Sequence, residues 1–118
     1  MHYQVSSIKN PESIISKLAE KCPWFSDSID LDEGPYSVLG DFAIYLRDNI
    51  VDEEELNDAF DFLNQMGASD DTEIQNQLVV GVLEILADTD SSVLVAKKRL
   101  IGRSLELFNR TLSGWNNT

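Results

Sequence analysis

The chain has 118 residues, 42% of them hydrophobic, and carries nine Lys or Arg against 21 Asp or Glu, which gives a net charge of -12. This length and hydrophobic content exclude a disordered chain and predict a single domain over residues 1–118. No apolar run approaches the roughly 20 residues that cross a bilayer, and the lack of a signal-peptide pattern, with Cys22 as the single cysteine, predicts a cytoplasmic protein without disulfides.

The negative charge is concentrated in the middle of the chain. Residues 27–90 hold eighteen Asp or Glu and one base, Arg47, which gives this segment a net charge of -17, whereas the flanking segments carry +1 and +4. Such a field repels the phosphates of nucleic acids and anionic lipid headgroups. The charge therefore argues against nucleic acid and membrane partners and favours a basic protein, although a merely solvated acidic surface has the same composition.

The first half of the chain predicts two long helices separated by a short segment that is either irregular or a single helical turn. Asn10 and Pro11 are typical of the cap and the first position of a helix, which ends before Pro23. A segment rich in Asp, Ser and aromatic residues follows. Gly34 and Pro35 then break the chain before a second long helix.

The second half of the chain predicts three more helices. Asp52 begins a capping box at the start of the third helix, and Gly67 is expected to stop it. Asp70 or Asp71 caps the fourth helix, which is apolar almost all round and is therefore expected to be central. Gly81 in the middle of this helix indicates the close approach of a neighbouring helix.

The last helix is expected over residues 92–112, with apolar residues inward and bases outward. No stretch of the sequence shows the sustained alternation of a strand. The prediction is therefore an all-α, single-domain bundle of about five helices in antiparallel, HEAT-like hairpins.

Residues for catalysis and metal binding are scarce. His2 is the single histidine and lies at the terminus, and no nucleophile motif or phosphate-binding loop is present. Residues 30–34 and 88–92 begin like EF-hand calcium loops, but glycine comes at the fifth position of the first loop, and Val93 replaces it in the second. The sequence therefore predicts no enzyme, no cofactor and no metal site.

The tetrapeptide Asp27-Ser28-Ile29-Asp30 resembles the phosphopantetheine attachment motif of acyl carrier proteins, which are also small, acidic and helical. In that family a helix begins directly after the motif. Here an acidic loop and a Gly-Pro break follow instead, and two long helices are added. The carrier-protein alternative therefore fits the context less well.

Residues 71–86, an acidic turn followed by an almost wholly apolar helix, look like the second helix of a HEAT-type hairpin. Together with the preceding helix around residues 60–64, they resemble small acidic helical immunity proteins of bacterial contact-dependent growth inhibition systems, over roughly residues 36–90. The resemblance implies a cytoplasmic monomer that binds a basic toxin domain one to one and covers its active site. Many such toxins are nucleases. An acidic helical adaptor or HEAT-like interaction module is the alternative.

Two groups of acidic residues are predicted to bind the partner. The first is a solvent-facing stripe on the third helix, opposite its apolar face: Glu54, Asp58 and Asp61. The second is the loop that precedes the second helix: Asp30, Asp32 and Glu33. Because charge alone gives little specificity, aromatic anchors are expected beside this loop. The candidates are Trp24, Phe25 and Tyr36, with packing in the core as the alternative role, above all for Trp24.

Overall fold

Seven helices make up the part of the chain that the computed structural model describes, which comprises residues 8, 10–30, 32–48 and 52–116. They are α1 (Ile14–Lys21), α2 (Pro23–Ser26), α3 (Pro35–Asp48), α4 (Glu53–Gly67), α5 (72–86), α6 (Asp90–Arg99) and α7 (Gly102–Asn116). A 3-10 turn, Pro11–Ser13, precedes α1. The helix α5 is continuous through Thr72–Leu78, a π-helical segment Val79–Leu83, and Glu84–Leu86. The described residues contain no strand, which confirms the all-α prediction.

The predicted helix starts are confirmed by their capping hydrogen bonds. The side chains of Asn10, Asp52 and Asp71 each accept hydrogen bonds from backbone N–H groups two or three residues further along, at 2.8–3.2 Å. These bonds satisfy N–H groups that the first turn of a helix leaves without a partner. The residues that begin the helices are therefore fixed by local chemistry, and Asp71 rather than Asp70 caps α5.

The core lies where α3 and α4 pack on α5, and it includes the fully buried side chains of Leu39, Leu63 and Leu83. At one side of this core the ring centroid of Phe42 lies 5.0 Å from that of Phe25 and 6.1 Å from that of Phe62. These edge-on contacts join α2, α3 and α4 and add to the energy of simple apolar burial.

Gly81 allows α3 and α5 to approach closely, as its position in the sequence predicts. A Cβ atom at Gly81 would lie 3.1 Å from the Cβ atom of Leu39. Gly67 has a similar role that was not predicted. It is the last residue of α4, and a Cβ atom there would lie 2.5 Å from the Cβ atom and 2.8 Å from the backbone N and Cα atoms of Ser104 in α7. Gly67 is therefore needed for the crossing of α4 and α7. The helix does end at Gly67, but Ala68 follows it in a right-handed helical conformation, so the helix end itself does not require glycine.

The prediction of one last helix over residues 92–112 is wrong, because the chain breaks between α6 and α7. Leu100 has an extended backbone with ψ 140°, and Gly102 has φ 55°, which favours glycine. Asn64 of α4 stabilises the break: its Nδ2 atom donates to the Arg99 carbonyl at 3.1 Å, and its Oδ1 atom accepts from the Ile101 N–H at 3.0 Å. A side chain distant in sequence thus replaces hydrogen bonds that a continuous helix would have made.

Cys22 is fully buried after α1. Burial, and to a smaller extent the negative charge of Asp58, raises the pKa of its thiol to about 12. At neutral pH the side chain is therefore a protonated, small hydrophobic group.

We expect Cys22 to react with iodoacetamide at pH 8 more than a hundred times more slowly in the folded protein than in urea, because only the thiolate is nucleophilic and its ordinary pKa is about 8.5. The rate can be measured by mass spectrometry of the alkylated chain. A folded-state rate within about tenfold of that of free cysteine would contradict both the burial of Cys22 and its raised pKa.

Candidate functional site

All carboxyl groups of the acidic segment lie at least partly at the surface. Of the eighteen Asp and Glu side chains in residues 27–90, twelve are exposed and six are half-buried. Arg47 lies between Asp48 and Asp88, with Nε 2.7 Å from Asp48 Oδ1 and Nη1 2.9 Å from Asp88 Oδ2. Its hydrogen bond lowers the pKa of Asp48, which therefore stays ionised. The only base of the segment is thus tied to two acids, and the surface around it remains strongly negative.

The acidic loop before α3 presents two of its three predicted carboxylates to solvent. Asp30 and Asp32 are exposed, and Asp30 Oδ1 accepts a hydrogen bond from the Asp32 N–H at 2.9 Å, which shapes the turn. Glu33 is half-buried, and its Oε2 atom is buried with no hydrogen-bond partner among the described residues. Burial and the nearby carboxylates of Asp41 and Asp30 raise the pKa of Glu33. Asp30 and Asp32 can therefore meet a partner directly, whereas Glu33 lies against the protein.

The predicted solvent-facing stripe on α4 is wrong for two of its three residues. Glu54 is exposed as expected, but Asp58 and Asp61 are half-buried. Asp58 Oδ2 accepts a hydrogen bond from Trp24 Nε1 at 3.3 Å, and Asp61 forms an ion pair with Lys21. The physical reason is that α1 and α2 pack against this side of α4. Asp58 and Asp61 therefore hold the N-terminal helices in place, and the partner-binding role of Glu54 stays a prediction.

Two tyrosine hydroxyls also donate hydrogen bonds to carboxylates, which the sequence analysis missed. Tyr36 donates to Glu73 Oε1 at 3.0 Å and accepts from Asn76 Nδ2 at 2.7 Å, and Tyr45 donates to Glu55 Oε1 at 3.3 Å. Burial and these Glu side chains raise the pKa of both phenols, which are therefore neutral donors. The sequence offers one signal for these contacts. The hydroxyl of a partly buried Tyr needs a polar partner, and in a chain rich in Asp and Glu a carboxylate can serve as that partner.

The aromatic anchors predicted beside the loop are mostly part of the core. Phe25 is 3% exposed, so a partner cannot reach its ring, and its predicted role as an anchor is wrong. Trp24 is half-buried, and its ring centroid lies 5.8 Å from that of Tyr45, with the two rings tilted by 33°. Tyr36 is half-buried at the start of α3. Of the three candidates, Trp24 and Tyr36 retain surface that a partner could contact.

An open groove of about 420 Å³ runs between α4 and the junction of α6 and α7, and Asp58 and Asp61 lie on its wall. On the opposite side, Arg99 Nη1 donates to Asn57 Oδ1 at 2.6 Å, and Arg99 Nη2 pairs with Glu53 at 2.7 Å. The groove therefore has charges of both signs. A basic partner is better matched by the exposed acids outside it.

The two calcium-like loops form a turn before α3 and the start of α6. Thr89 caps α6 through a hydrogen bond from the Ser92 N–H to its Oγ1 atom at 3.2 Å, as the predicted turn and cap require, while Asp88 pairs with Arg47. No group of three or more His, Cys, Asp or Glu residues is placed to hold a metal ion in the described ranges. No helix formed by these residues is long and apolar enough to cross a membrane.

Comparison with known proteins gives one match. Residues 15–116 match the model of a family described as a domain of unknown function, DUF7674. Searches of curated proteins and of solved structures gave no match. The match covers all seven helices except the first residue of α1.

Proposed function

Since the chain belongs to the DUF7674 family, a domain of unknown function, we propose from its own surface that it is a cytoplasmic immunity protein that binds and neutralises a cognate basic toxin domain. The observation that carries the proposal is that twelve of the eighteen Asp and Glu side chains in residues 27–90 are exposed to solvent. The binding is one to one, and the acidic surface covers the active site of the toxin. A nuclease is the class of toxin that fits best, because its cleft must be basic to hold a polyanion.

Electrostatic attraction explains how such a complex forms quickly. Opposite charge on two partners raises the association rate above the unsteered range of about 10⁵–10⁶ M⁻¹s⁻¹, and salt reduces this gain. The likeness of residues 36–90 to immunity proteins of contact-dependent growth inhibition supports the same function. The alternative is an acidic helical adaptor, which would bind a basic protein without protecting cells from it.

The proposal is tested by charge reversal on exposed residues. Of the four altered acids, Glu53 forms an ion pair, with Arg99, in the part of the chain that the structure describes. One double variant alters the acidic loop region, Asp27→Lys with Asp32→Lys, and a second alters the start of α4, Glu53→Lys with Glu54→Lys. The matched control, Glu20→Lys with Glu106→Lys, changes the net charge equally but lies outside residues 27–90. Its two acids make only exposed ion pairs, which contribute little to stability.

We expect at least one of the two acidic-surface variants to associate about tenfold more slowly with the toxin domain encoded by the neighbouring gene, and to protect cells less. The control should change the rate by no more than about twofold. Stopped-flow fluorescence at low salt and growth during toxin expression measure the two effects. Equal behaviour of all three variants and the parent would refute electrostatic docking by this surface. If the parent binds no neighbouring toxin, the adaptor function takes the place of immunity.

A further inference from the structure

Among the described residues, four large hydrophobic side chains are exposed, and they fall into two pairs with opposite electrostatic surroundings. Ile44 of α3 is 41% exposed and Val80 of α5 is 46% exposed. Leu94 of α6 and Ile101, which follows α6, are 61% and 45% exposed. The second pair lies in the basic segment that follows residue 90, whereas the first pair lies within the acidic segment.

Ile44 and Val80 belong to two helices that pack side by side and run in the same direction. At the start of the pair, Asn76 of α5 donates to the hydroxyl of Tyr36 in α3 at 2.7 Å. At its end, Arg47 of α3 donates to Asp88, just after α5, at 2.9 Å. Tyr36 and Ile44 fall on one row of α3, and Asn76 and Val80 fall on one row of α5, so the two exposed side chains lie on the same side of the helix pair. We call this side the α3–α5 face.

The middle of the α3–α5 face is shallow and apolar. Gly40 has no side chain there, and a Cβ atom at this position would lie 3.8 Å from Ile85 Cδ1. Val80 adjoins Gly81, which faces Leu39. Ile44 comes five residues after Leu39, which places it about 8 Å further along the helix axis. The two exposed apolar side chains are thus offset by one to two helical turns along the helix pair.

The edge of the α3–α5 face is acidic. Arg47 lies at one end of the face and pairs with Asp48 and Asp88. The remaining exposed or half-buried acids of α3 and α5 are Asp41, Glu73 and Glu84, so the net charge of the edge is negative. Asp41 also lies near the loop of Asp30 and Glu33, because its carboxylate, like that of Asp30, raises the pKa of Glu33. An apolar centre with a polar, charged rim is the usual anatomy of a protein-binding surface.

We propose that the α3–α5 face is the docking surface for an amphipathic basic helix of the partner. The apolar side chains of that helix pack on Ile44 and Val80, and its Lys or Arg residues meet the acidic rim. The spacing of Ile44 and Val80 fits anchors at positions i and i+4 or i and i+7 of a bound helix. This inference rests on the proposed function in one respect, which is that the partner is basic. A basic partner is expected because its charge complements the acidic edge of the face.

A second copy of the chain is a poorer occupant of this face. A symmetric dimer would bring the same acidic rim of two molecules together, and like charges placed opposite one another oppose association. The proposal therefore commits to a basic helix, and self-association becomes one outcome of the test.

The test uses a fluorescein-labelled peptide of fourteen Leu and Lys residues, arranged so that a helix has one apolar and one basic face. Binding to the full chain is followed by fluorescence anisotropy. The variant Ile44→Ser with Val80→Ser removes the apolar centre of the α3–α5 face. The control variant, Leu94→Ser with Ile101→Ser, removes the other two exposed apolar side chains, which lie outside this face. Because all four side chains are exposed, both variants should melt at the temperature of the parent within a few degrees.

We expect Ile44→Ser with Val80→Ser to weaken peptide binding about tenfold, as the loss of partly buried apolar contacts requires. The Leu94→Ser with Ile101→Ser variant should bind within about twofold of the parent. A peptide of the same number of Lys residues without Leu should bind the parent about tenfold more weakly and should not distinguish the variants. Equal loss in both variants, or no loss in either, would overturn the proposal.

Sedimentation of the parent tests for self-association. If the parent is a dimer and the variant Ile44→Ser with Val80→Ser is a monomer, the face is a self-interface and the proposal is overturned as well.

The proposed function and the docking surface can be refuted separately. Normal toxin neutralisation by the Ile44→Ser with Val80→Ser variant would refute the docking surface and leave the immunity function intact. Peptide binding that follows the expected pattern, with no protection from a neighbouring toxin, would refute immunity and leave the docking surface intact.

Discussion

Replacement of Gly67 by alanine should lower the free energy of unfolding by about 3 kcal/mol, the upper part of the range for side chains forced into a packed interior. The added Cβ atom would lie 2.8 Å from the backbone N and Cα atoms of Ser104. A backbone cannot rotate away as the end of a flexible side chain can, so α7 has to move as a unit. Urea denaturation followed by circular dichroism measures the loss.

Gly40→Ala is the matched control, because Gly40 is also helical but its added Cβ atom would meet only Ile85 Cδ1 at 3.8 Å, an ordinary contact. Alanine is the better helix former, so this variant should be more stable than the parent by up to about 1 kcal/mol. A loss of stability in Gly40→Ala equal to that in Gly67→Ala would show that the crossing of α4 and α7 does not depend on Gly67.

Asn64→Leu should also destabilise the fold strongly, by roughly 3 kcal/mol, because it leaves the Arg99 carbonyl and the Ile101 N–H, both in partly buried bonds, without their partner. Asn64 bonds the Arg99 carbonyl and the Ile101 N–H, and its Oδ1 atom accepts from Ser104 Oγ at 2.5 Å. Leucine has a similar volume but can make none of these bonds. Chemical denaturation gives the size of the effect, and hydrogen exchange should show faster opening of the α6–α7 junction.

The control for Asn64→Leu is Asn57→Leu, which lies two turns earlier on α4 and is exposed. Asn57 accepts one hydrogen bond from Arg99 at the surface, where water can replace it, so the expected change is below about 1 kcal/mol. Comparable losses in the two variants would mean that general damage to α4, rather than the break between α6 and α7, determines the effect.

The sequence predicts those features of the fold that depend on neighbouring residues. Asn10, Asp52 and Asp71 cap helices because each has a short polar side chain two or three residues before the N–H groups it bonds. The apolar spacing of α3 and α4 likewise shows which sides of these helices are buried. Local periodicity and capping chemistry are sufficient for such predictions.

The sequence fails where the deciding contact joins distant residues. The break after α6 depends on Asn64, 37 residues before Ile101, and the position of Asp58 depends on Trp24, 34 residues before it. The sequence alone does not distinguish a glycine that ends a helix from one that, like Gly67, allows two helices to cross. The sequence therefore predicts that the candidate site is acidic. It does not predict which carboxylates face solvent and which make structural contacts, because that depends on how α1, α2 and α4 pack.

The π-helical segment Val79–Leu83 sets the rotational alignment of the two ends of α5. Such a segment accommodates one residue more than an uninterrupted α-helix of the same length. Deletion of one residue within it would restore α-helical winding and leave the two ends of α5 on the same sides of the helix, because the wide turn already absorbs the extra residue. Glu73 and Asn76 would then still face Tyr36, and Arg47 would keep its contact with Asp88. The α5 helix can thus differ by one residue at this point without turning, and family members with one residue fewer here are expected to present the same side chains beside the first turn of α3.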